Sequence, residues 1–184
     1  MKNHIRALVV AAVCAAMAFG LNQISLFRFE AGGSITPASM LPVAMAGYLL
    51  GPFYGILSGL VMGLLDFITG AYIIHPIQLA LDYFLAFGAL GLAGFASKIE
   101  NRNGAPIGML IGYLIGITGR FVLVTLSGYI YFAEYTPDGW SPLAWSLFYN
   151  IRYIGVEAIF TVIIIFTLPF IKLLDTLKRE LKKR

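Results

Sequence analysis

The sequence predicts an all-α, polytopic membrane protein with six transmembrane helices. Hydrophobic residues make up 59% of the 184 residues and charged residues only 12%. The mean hydropathy of +0.84 is far above that of a soluble domain. Apolar runs that can cross a bilayer recur along the chain, and glycine or proline marks the breaks between them. Because this leaves no room for a separate soluble unit, we expect a single six-helix transmembrane domain over residues 1–184.

Six helices are expected between these breaks, since roughly 20 apolar residues span the hydrocarbon core. They lie near 5–24, 37–50, 54–70, 76–97, 106–131 and 144–173. The second is short, and we expect it to be tilted or to span the bilayer incompletely. The first resembles a signal peptide, but further spans follow it, so we expect a retained helix. Residues 174–184 are basic and amphipathic, which predicts a solvated cytoplasmic tail.

The breaks predict where the helices start and end. The signals are Gly32-Gly33 with Pro37, Gly51-Pro52, His75-Pro76, Asn101 to Pro106, and Pro137-Asp138-Gly139. Pro76 suits the first position of a helix, because its missing N–H is one that the helix could not pair. His75 is expected to act as a loop residue or helix cap.

The basic residues predict that both termini are cytoplasmic. With that orientation, ten of the 13 lysines and arginines lie in inner segments, as the positive-inside rule requires. They are Lys2, Arg6, Lys98, Arg102, Lys172, Lys178, Arg179, Lys182, Lys183 and Arg184. Because these residues flank apolar spans, the pattern disfavours nucleic-acid binding. The outer loops 25–36, 71–76 and 132–143 would then surround a pocket open to the outside.

One carboxylate, Asp82, lies inside the fourth helix with Tyr83 beside it. A lone acid in an apolar span costs several kcal/mol unless it is compensated, so it marks a candidate functional site. Asp82 could balance a ligand cation or accept hydrogen bonds from an amino group. The alternative is that it pairs with Arg152.

Other polar and aromatic residues could serve the same pocket. Charges also lie inside the spans at Asp66, Arg120, Arg152 and Glu157, and we expect Arg120 and Glu157 to form a structural ion pair. Asn150 in the sixth helix offers a donor and an acceptor to a heterocycle. Aromatic residues are concentrated on the outer side, at Tyr72, Tyr83, Tyr129, Tyr131, Phe132, Tyr135, Trp140, Trp145 and Tyr149. An interfacial belt explains many of them, and inward-facing ones would stack a flat ring or hold a cation.

Small residues recur at helical spacing in three helices. In the first helix, Ala7, Ala11 and Ala15 form one line and Ala12 and Ala16 form another. Such lines let a second helix approach closely, either within the bundle or from a partner. Two glycine lines, Gly55/Gly59/Gly63 and Gly108/Gly112/Gly116, predict contacts within the bundle.

No enzyme signature is present in the sequence, so we expect a binding protein without a cofactor. HExxH, Gly-x-Ser-x-Gly, P-loop and paired-cysteine patterns are absent, and Cys14 is the only cysteine. Without a P-loop, any ATP-driven step needs a partner subunit. An intramembrane enzyme acting on a lipid or prenyl substrate stays open as an alternative. So does a stand-alone secondary transporter that uses Arg120 and Glu157 as a relay.

Three stretches resemble the thiamine-specific S-component, the substrate-binding subunit, of energy-coupling factor (ECF) transporters. They are GGSITPASMLP at 32–42, GAYIIHPIQLALDYFLAFGALGLAGF at 70–95 and SGYIYFAEYTPDGWSPLAWSLFYN at 127–150. The resemblance implies a six-helix protein of the bacterial cell membrane that captures a vitamin from outside. It also implies association with a transmembrane coupling subunit and two cytoplasmic ATPases, the coupling subunit docking on Ala12 and Ala16.

The resemblance also implies a set of pocket residues. Its pocket positions fall on Asp82, Tyr83, Tyr72, Asn150, Trp145 and Phe132. Departures from the family pattern concern Asp82, one methylene shorter than the family's glutamate, and Val124 or Thr125, where a histidine is common. Gly33 and Pro37 stand where some members have tryptophan and glutamate. These departures leave open whether the ligand is thiamine, its hydroxymethylpyrimidine precursor or another heterocyclic vitamin.

Overall fold

The computed structural model describes residues 2–29, 33–70, 72–99 and 105–182, and the structure is 79% helical. Gly32, Asn101, Arg102, Lys183 and Arg184 entered the sequence-based predictions above and lie outside the described residues.

Seven helices are formed within the described ranges. They are α1 (Lys2–Asn22), α2 (Leu41–Leu50), α3 (Pro52–Ile68), α4 (Pro76–Ala96), α5 (Ile107–Tyr131), α6 (Pro142–Ile165) and α7 (Leu168–Lys182). A short 3₁₀ turn, Ala133–Tyr135, follows α5. Helices α1, α4, α5 and α6 are long and apolar enough to cross a membrane, whereas α2 and α3 are shorter apolar helices. The first five helices lie within a few residues of their predicted ranges.

The prediction of one helix over 144–173 followed by a solvated tail is wrong. Helix α6 ends at Ile165, and the chain turns at Phe166-Thr167 before α7 begins. Leu174 of α7 is 0% exposed, and Lys178 Nζ donates a hydrogen bond to the Tyr48 hydroxyl over 2.8 Å. Apolar residues three or four apart in α7 pack on the bundle, and this spacing outweighs the basic charge.

The described residues between α1 and α2, 23–29 and 33–40, are here called loop 1. It contains a two-stranded antiparallel ribbon, which the all-α prediction did not include. Strand β1 (Phe27–Arg28) pairs with β2 (Ser34–Ile35), with Phe27 opposite Ile35 and Arg28 opposite Ser34.

The helix boundaries follow from the predicted signals. His75 Nδ1 accepts a hydrogen bond from the backbone N–H of Ile77 over 3.1 Å at the start of α4, which confirms the capping role of His75. The Ser141 hydroxyl caps α6 in the same way. Gly51 separates α2 from α3 with φ of +96°, a conformation that glycine adopts without the steric cost of a side chain.

The predicted glycine lines form helix contacts within the bundle. A Cβ on Gly59 would lie 2.2 Å from the Phe87 carbonyl oxygen of α4. A Cβ on Gly116 would lie 2.7 Å from the Leu90 carbonyl oxygen. Helix α4 is therefore packed between α3 and α5 at backbone distance, which fixes the position of Asp82.

Candidate functional site

A cavity of about 650 Å³ opens at the end of the bundle where α4 and α6 begin and α5 ends. All six side chains that the sequence predicts as ligand contacts line it. They are Tyr72, Asp82, Tyr83, Phe132, Trp145 and Asn150. Loop 1 closes one side with Gly33, Ser34 and Ser39.

Asp82 is fixed in the cavity wall by a residue one helical turn before it. Gln78 Nε2 donates to Asp82 Oδ2 over 2.6 Å and to the Tyr72 carbonyl over 3.3 Å, and Gln78 Oε1 accepts from the Ile74 N–H. Gln78 is only 1% exposed. It therefore joins the loop before α4 to the acidic side chain. Gln78 was not among the predicted pocket residues, although its i, i+4 spacing from Asp82 is a usable signal.

Helices α4 and α6, which carry predicted ligand contacts, both depart from regular α-helix beside the cavity. Asp82 and Tyr83 lie in a π-helical turn of α4, Ala80–Leu85. Asn150 immediately precedes a second π-helical turn, Ile151–Gly155, in α6. Such turns are rare and concentrate at functional sites.

Asn150 is held at a defined orientation on α6. Its Nδ2 donates to the Ser146 carbonyl over 2.9 Å, and its Oδ1 accepts from the Tyr153 hydroxyl over 2.8 Å. The Ser146 hydroxyl in turn donates to the Thr125 carbonyl of α5 over 2.8 Å. Ser146 and Tyr153 were not predicted as site residues, because their roles depend on the contact between α5 and α6.

Aromatic side chains form the mouth of the cavity. The Tyr72 and Phe132 ring centroids are 6.4 Å apart, and those of Phe132 and Tyr135 are 6.1 Å apart. The Tyr72 and Tyr135 hydroxyls are 3.3 Å apart, and this contact raises the pKa of the exposed Tyr135 hydroxyl. Opposite them, Trp145 packs at a tilt against Tyr149, with centroids 6.3 Å apart.

Loop 1 is attached to the face of α6 that carries Tyr149, Tyr153 and Glu157. The Gly33 N–H donates to the Tyr149 hydroxyl. A Cβ at Gly33 would lie 2.7 Å from that hydroxyl and 2.8 Å from Tyr153 Cδ1. A side chain at this position would require the two tyrosine rings to shift, so glycine favours the close contact between loop 1 and α6.

Glu157 has a different partner from the one that the sequence predicts. Its carboxylate accepts hydrogen bonds from the Thr36 N–H and hydroxyl, the Ser39 hydroxyl and the Met40 N–H at 2.6–3.3 Å. Within the part of the chain that the structure describes, it forms no ion pair with Arg120, so that prediction is wrong. The donors at the start of α2 converge on Glu157, and the sequence alone does not reveal this convergence.

The alternative pairing of Asp82 with Arg152 is not formed either. The Arg152 guanidinium carbon lies over the rings of Phe29 and Phe148, at 4.7 and 5.4 Å from their centroids. Among the residues described, no three His, Cys, Asp or Glu side chains are grouped so that they could hold a metal ion.

The two alanine lines of α1 have different surroundings. Ala11 and Ala15 are buried against the bundle, at 2% and 0% exposure. Ala12 and Ala16 lie on the exposed face of the same helix. One line therefore serves internal packing, and the other is accessible to a partner or to lipid.

Comparison with known proteins identifies the family. A family model described as thiamine transporter protein matches residues 8–176. The chain belongs to this family. The resemblance to thiamine-specific S-components is thereby confirmed. The family is one of transport and binding proteins, which also confirms the expectation that the chain is not an enzyme.

Individual relatives agree with the family assignment. The chain is 29% identical to the thiamine transporter ThiT of Bacillus subtilis over 168 residues, covering 86% of this chain and 87% of that protein. It is 27% identical to ThiT of Lacticaseibacillus paracasei over 179 residues, covering 89% and 86%. The solved structure of ThiT from Listeria monocytogenes superposes with a TM-score of 0.74 at 27% identity, covering 91% of this chain and 97% of that one. The chain is therefore a membrane protein with the fold of a thiamine transporter.

Proposed function

We propose that this chain is a membrane-embedded subunit that captures thiamine from outside for ATP-driven uptake with an ECF coupling module. The observation that carries the proposal is the convergence of six predicted ligand side chains on one cavity in a member of the thiamine transporter family. The chain supplies binding, and two cytoplasmic ATPase subunits that act through a coupling subunit would supply the energy.

Thiamine combines a neutral aminopyrimidine with a cationic thiazolium, and the cavity offers groups suited to both. The aminopyrimidine would lie against an aromatic ring such as Phe132 and form hydrogen bonds with Asp82 and Asn150. Tyr72, Tyr83 and Trp145 would enclose the rest of the ligand. Aromatic and cation–π contacts contribute about 0.5–2 kcal/mol each. Several of them with desolvated hydrogen bonds reach nanomolar affinity, which corresponds to about 12 kcal/mol.

The proposed topology has six membrane-embedded helices in a single domain, α1 to α6, with both termini cytoplasmic and the cavity open to the outside. The short helices α2 and α3 are packed against α4, so they need not cross the bilayer alone. Helix α7 would lie at the cytoplasmic end, where its basic residues follow the positive-inside rule.

Thiamine titration of the purified protein, followed by tryptophan fluorescence, tests the proposed function because Trp145 lines the cavity. Asp82→Asn is expected to weaken thiamine binding by about tenfold or more, which is on the order of 1.4 kcal/mol. The amide oxygen of asparagine can still accept from Gln78, but the negative charge that faces the ligand is lost.

Asp138→Asn is the matched control, since Asp138 is exposed and lies outside the cavity lining. Equal thiamine affinities of the Asp82→Asn and Asp138→Asn proteins would remove Asp82 from the site. Tighter binding of hydroxymethylpyrimidine than of thiamine would transfer the assignment to a precursor transporter.

The exposed face of α1 is proposed to dock the coupling subunit through Ala12 and Ala16. Ala16→Leu is expected to leave thiamine binding unchanged, because the side chain points away from the bundle. It should reduce co-purification with the coupling subunit by about tenfold, since close helix packing depends on small residues. Val13→Leu enlarges another exposed side chain of α1 as a control. If both variants co-purify equally well, the docking surface lies elsewhere.

A further inference from the structure

Arg152 is the one charged side chain on the face of α6 that points away from the bundle. The other charge of this helix, Glu157, is buried, whereas Arg152 is exposed. The residues around Arg152 on the same face are apolar and exposed, and they are Phe148, Ile151, Val156, Ile159 and Ile163. In a membrane protein such an apolar stripe contacts lipid, and a cation within it is costly unless an anion accompanies it.

The described part of the chain supplies no anion to Arg152. Its guanidinium carbon lies 4.7 Å from the centre of the Phe29 ring and 5.4 Å from that of Phe148. Two phenyl rings attract the charge through their faces, but they offer no acceptor for a hydrogen bond. No hydrogen bond or ion pair joins Arg152 to another described residue. The N–H donors in the plane of the guanidinium are therefore available to a group from outside the chain.

The direction of the side chain places these donors near a membrane surface. Arg152 is ten residues from Pro142, which is about 15 Å from the start of α6. Helical side chains lean toward the helix N-terminus, and the Phe148 ring beneath the guanidinium lies one turn closer to that end. Trp140, 44% exposed, lies just before α6, where an aromatic residue marks the headgroup layer. The arginine can thus extend from the apolar stripe toward the headgroups.

We propose that Arg152 binds the phosphate of a phospholipid whose acyl chains pack along the apolar stripe of α6. The planar fork of a guanidinium matches two phosphate oxygens, and the stripe matches a hydrocarbon chain. A lipid of net negative charge, such as phosphatidylglycerol, suits the site, since no described carboxylate pairs with Arg152 and could receive the ammonium of a zwitterionic headgroup. Arg152 lies outside the cavity lining, so this lipid site is separate from the proposed thiamine site.

Native mass spectrometry of the full-length protein, purified in detergent and titrated with a short-chain phosphatidylglycerol, tests the proposal. Arg152→Met keeps an apolar side chain over the two rings and removes the donors. It is expected to bind this lipid at least about tenfold more weakly than the unaltered protein, as suits the loss of hydrogen bonds from a charged donor. A diacylglycerol with the same chains lacks the phosphate and should bind both proteins equally weakly.

Two further variants separate a specific site from general attraction and from misfolding. Arg28→Met removes another exposed cation, whose Nε donates to the Ser25 hydroxyl in loop 1, and it should keep the lipid affinity. Arg152→Lys keeps the charge without the planar fork and should bind the lipid more weakly than the unaltered protein. It replaces Arg152→Met in the comparison if that protein does not fold.

Equal weakening in Arg28→Met and Arg152→Met would show a general attraction of anionic lipid to a basic surface and overturn the site. Unchanged lipid affinity in the Arg152 variants would overturn it as well. Inorganic phosphate that binds as tightly as the lipid would make the occupant a free anion.

Glu30 follows Phe29 in the sequence and lies outside the described residues. Glu30→Gln is expected to leave lipid binding unchanged. If the unaltered protein fails to bind the lipid and Glu30→Gln binds it, the partner of Arg152 is this carboxylate and the proposal is wrong. None of these outcomes decides whether the cavity binds thiamine, so the proposed function is tested separately.

Discussion

Replacing Glu157 by glutamine is expected to lower the free energy of unfolding by about 2–3 kcal/mol and to weaken thiamine binding at least about tenfold. Both carboxylate oxygens accept hydrogen bonds, Oε1 from Ser39 and Met40 and Oε2 from Thr36. A glutamine can accept with one oxygen only. Its amide NH2 group would replace the second oxygen and would face the donors that now bind that oxygen. The site is buried, since Glu157 is only 3% exposed.

The effect on binding follows from what Glu157 holds in place. Thr36, Ser39 and Met40 connect loop 1 to α2, and Ser39 and Met40 themselves line the cavity. Detachment of this segment would move one wall of the site. The measurements are the thermal unfolding midpoint in detergent and the thiamine dissociation constant.

Glu134→Gln provides the control for the charge change, because Glu134 is exposed outside the cavity lining. It should behave like the unaltered protein in both measurements. If Glu157→Gln and Glu134→Gln have the same unfolding midpoint and the same thiamine affinity, the position of loop 1 does not depend on the Glu157 carboxylate.

Gly91→Ala is expected to have the largest effect on folding, at least about 3 kcal/mol, because it overfills a contact between two backbones. A Cβ on Gly91 would lie 2.1 Å from both Gly55 C and Ile56 N of α3. Since these are backbone atoms, no change of side-chain conformation can relieve the overlap. Helices α3 and α4 would have to separate, and Asp82 and Tyr83 would move with α4. Folded yield from membranes and the unfolding midpoint in detergent measure the effect.

Gly88→Ala is a matched control one turn away in the same helix. Its Cβ would meet only the Leu60 and Ile56 side chains, at 3.7 Å or more. The change should be neutral or stabilising by up to about 1 kcal/mol, because alanine favours helix more than glycine does. Similar midpoints for the two variants would refute the close approach of α3 and α4.

Local signals in the sequence were sufficient for much of the fold. Pro76 and the cap at His75 predict the start of α4, and Gly51-Pro52 predicts the boundary between α2 and α3, because these residues act through their own backbone geometry. The glycine lines at Gly55 and Gly112 predict close helix contacts for a similar reason. Loop 1 and α7 were not predicted well, since their structure depends on surfaces supplied by distant parts of the chain.

Some residues of the candidate site can likewise be predicted from the sequence, and others only from the packed structure. Asp82 is recognisable from the sequence because an acid in an apolar span is costly wherever it lies, and the aromatic residues near it are recognisable from their concentration at one side. Gln78 and Tyr153 are not recognisable from the sequence as site residues, because their hydrogen bonds depend on rotamers and on helix packing. Arg120 and Glu157 show most clearly what a sequence cannot predict. Two opposite charges near the middle of their helices suggest an ion pair. In the structure, however, Arg120 lies over the Phe87 ring and Glu157 binds the start of α2.

By itself, the sequence determined that this protein is an apolar helical bundle with polar groups collected near one end, because hydropathy and helix breaks act locally. Only the tertiary structure decided which buried charges are satisfied. Hydrogen bonding requires atoms within about 3 Å at defined angles, and residues as far apart as Thr36 and Glu157 meet that condition only after the helices have packed.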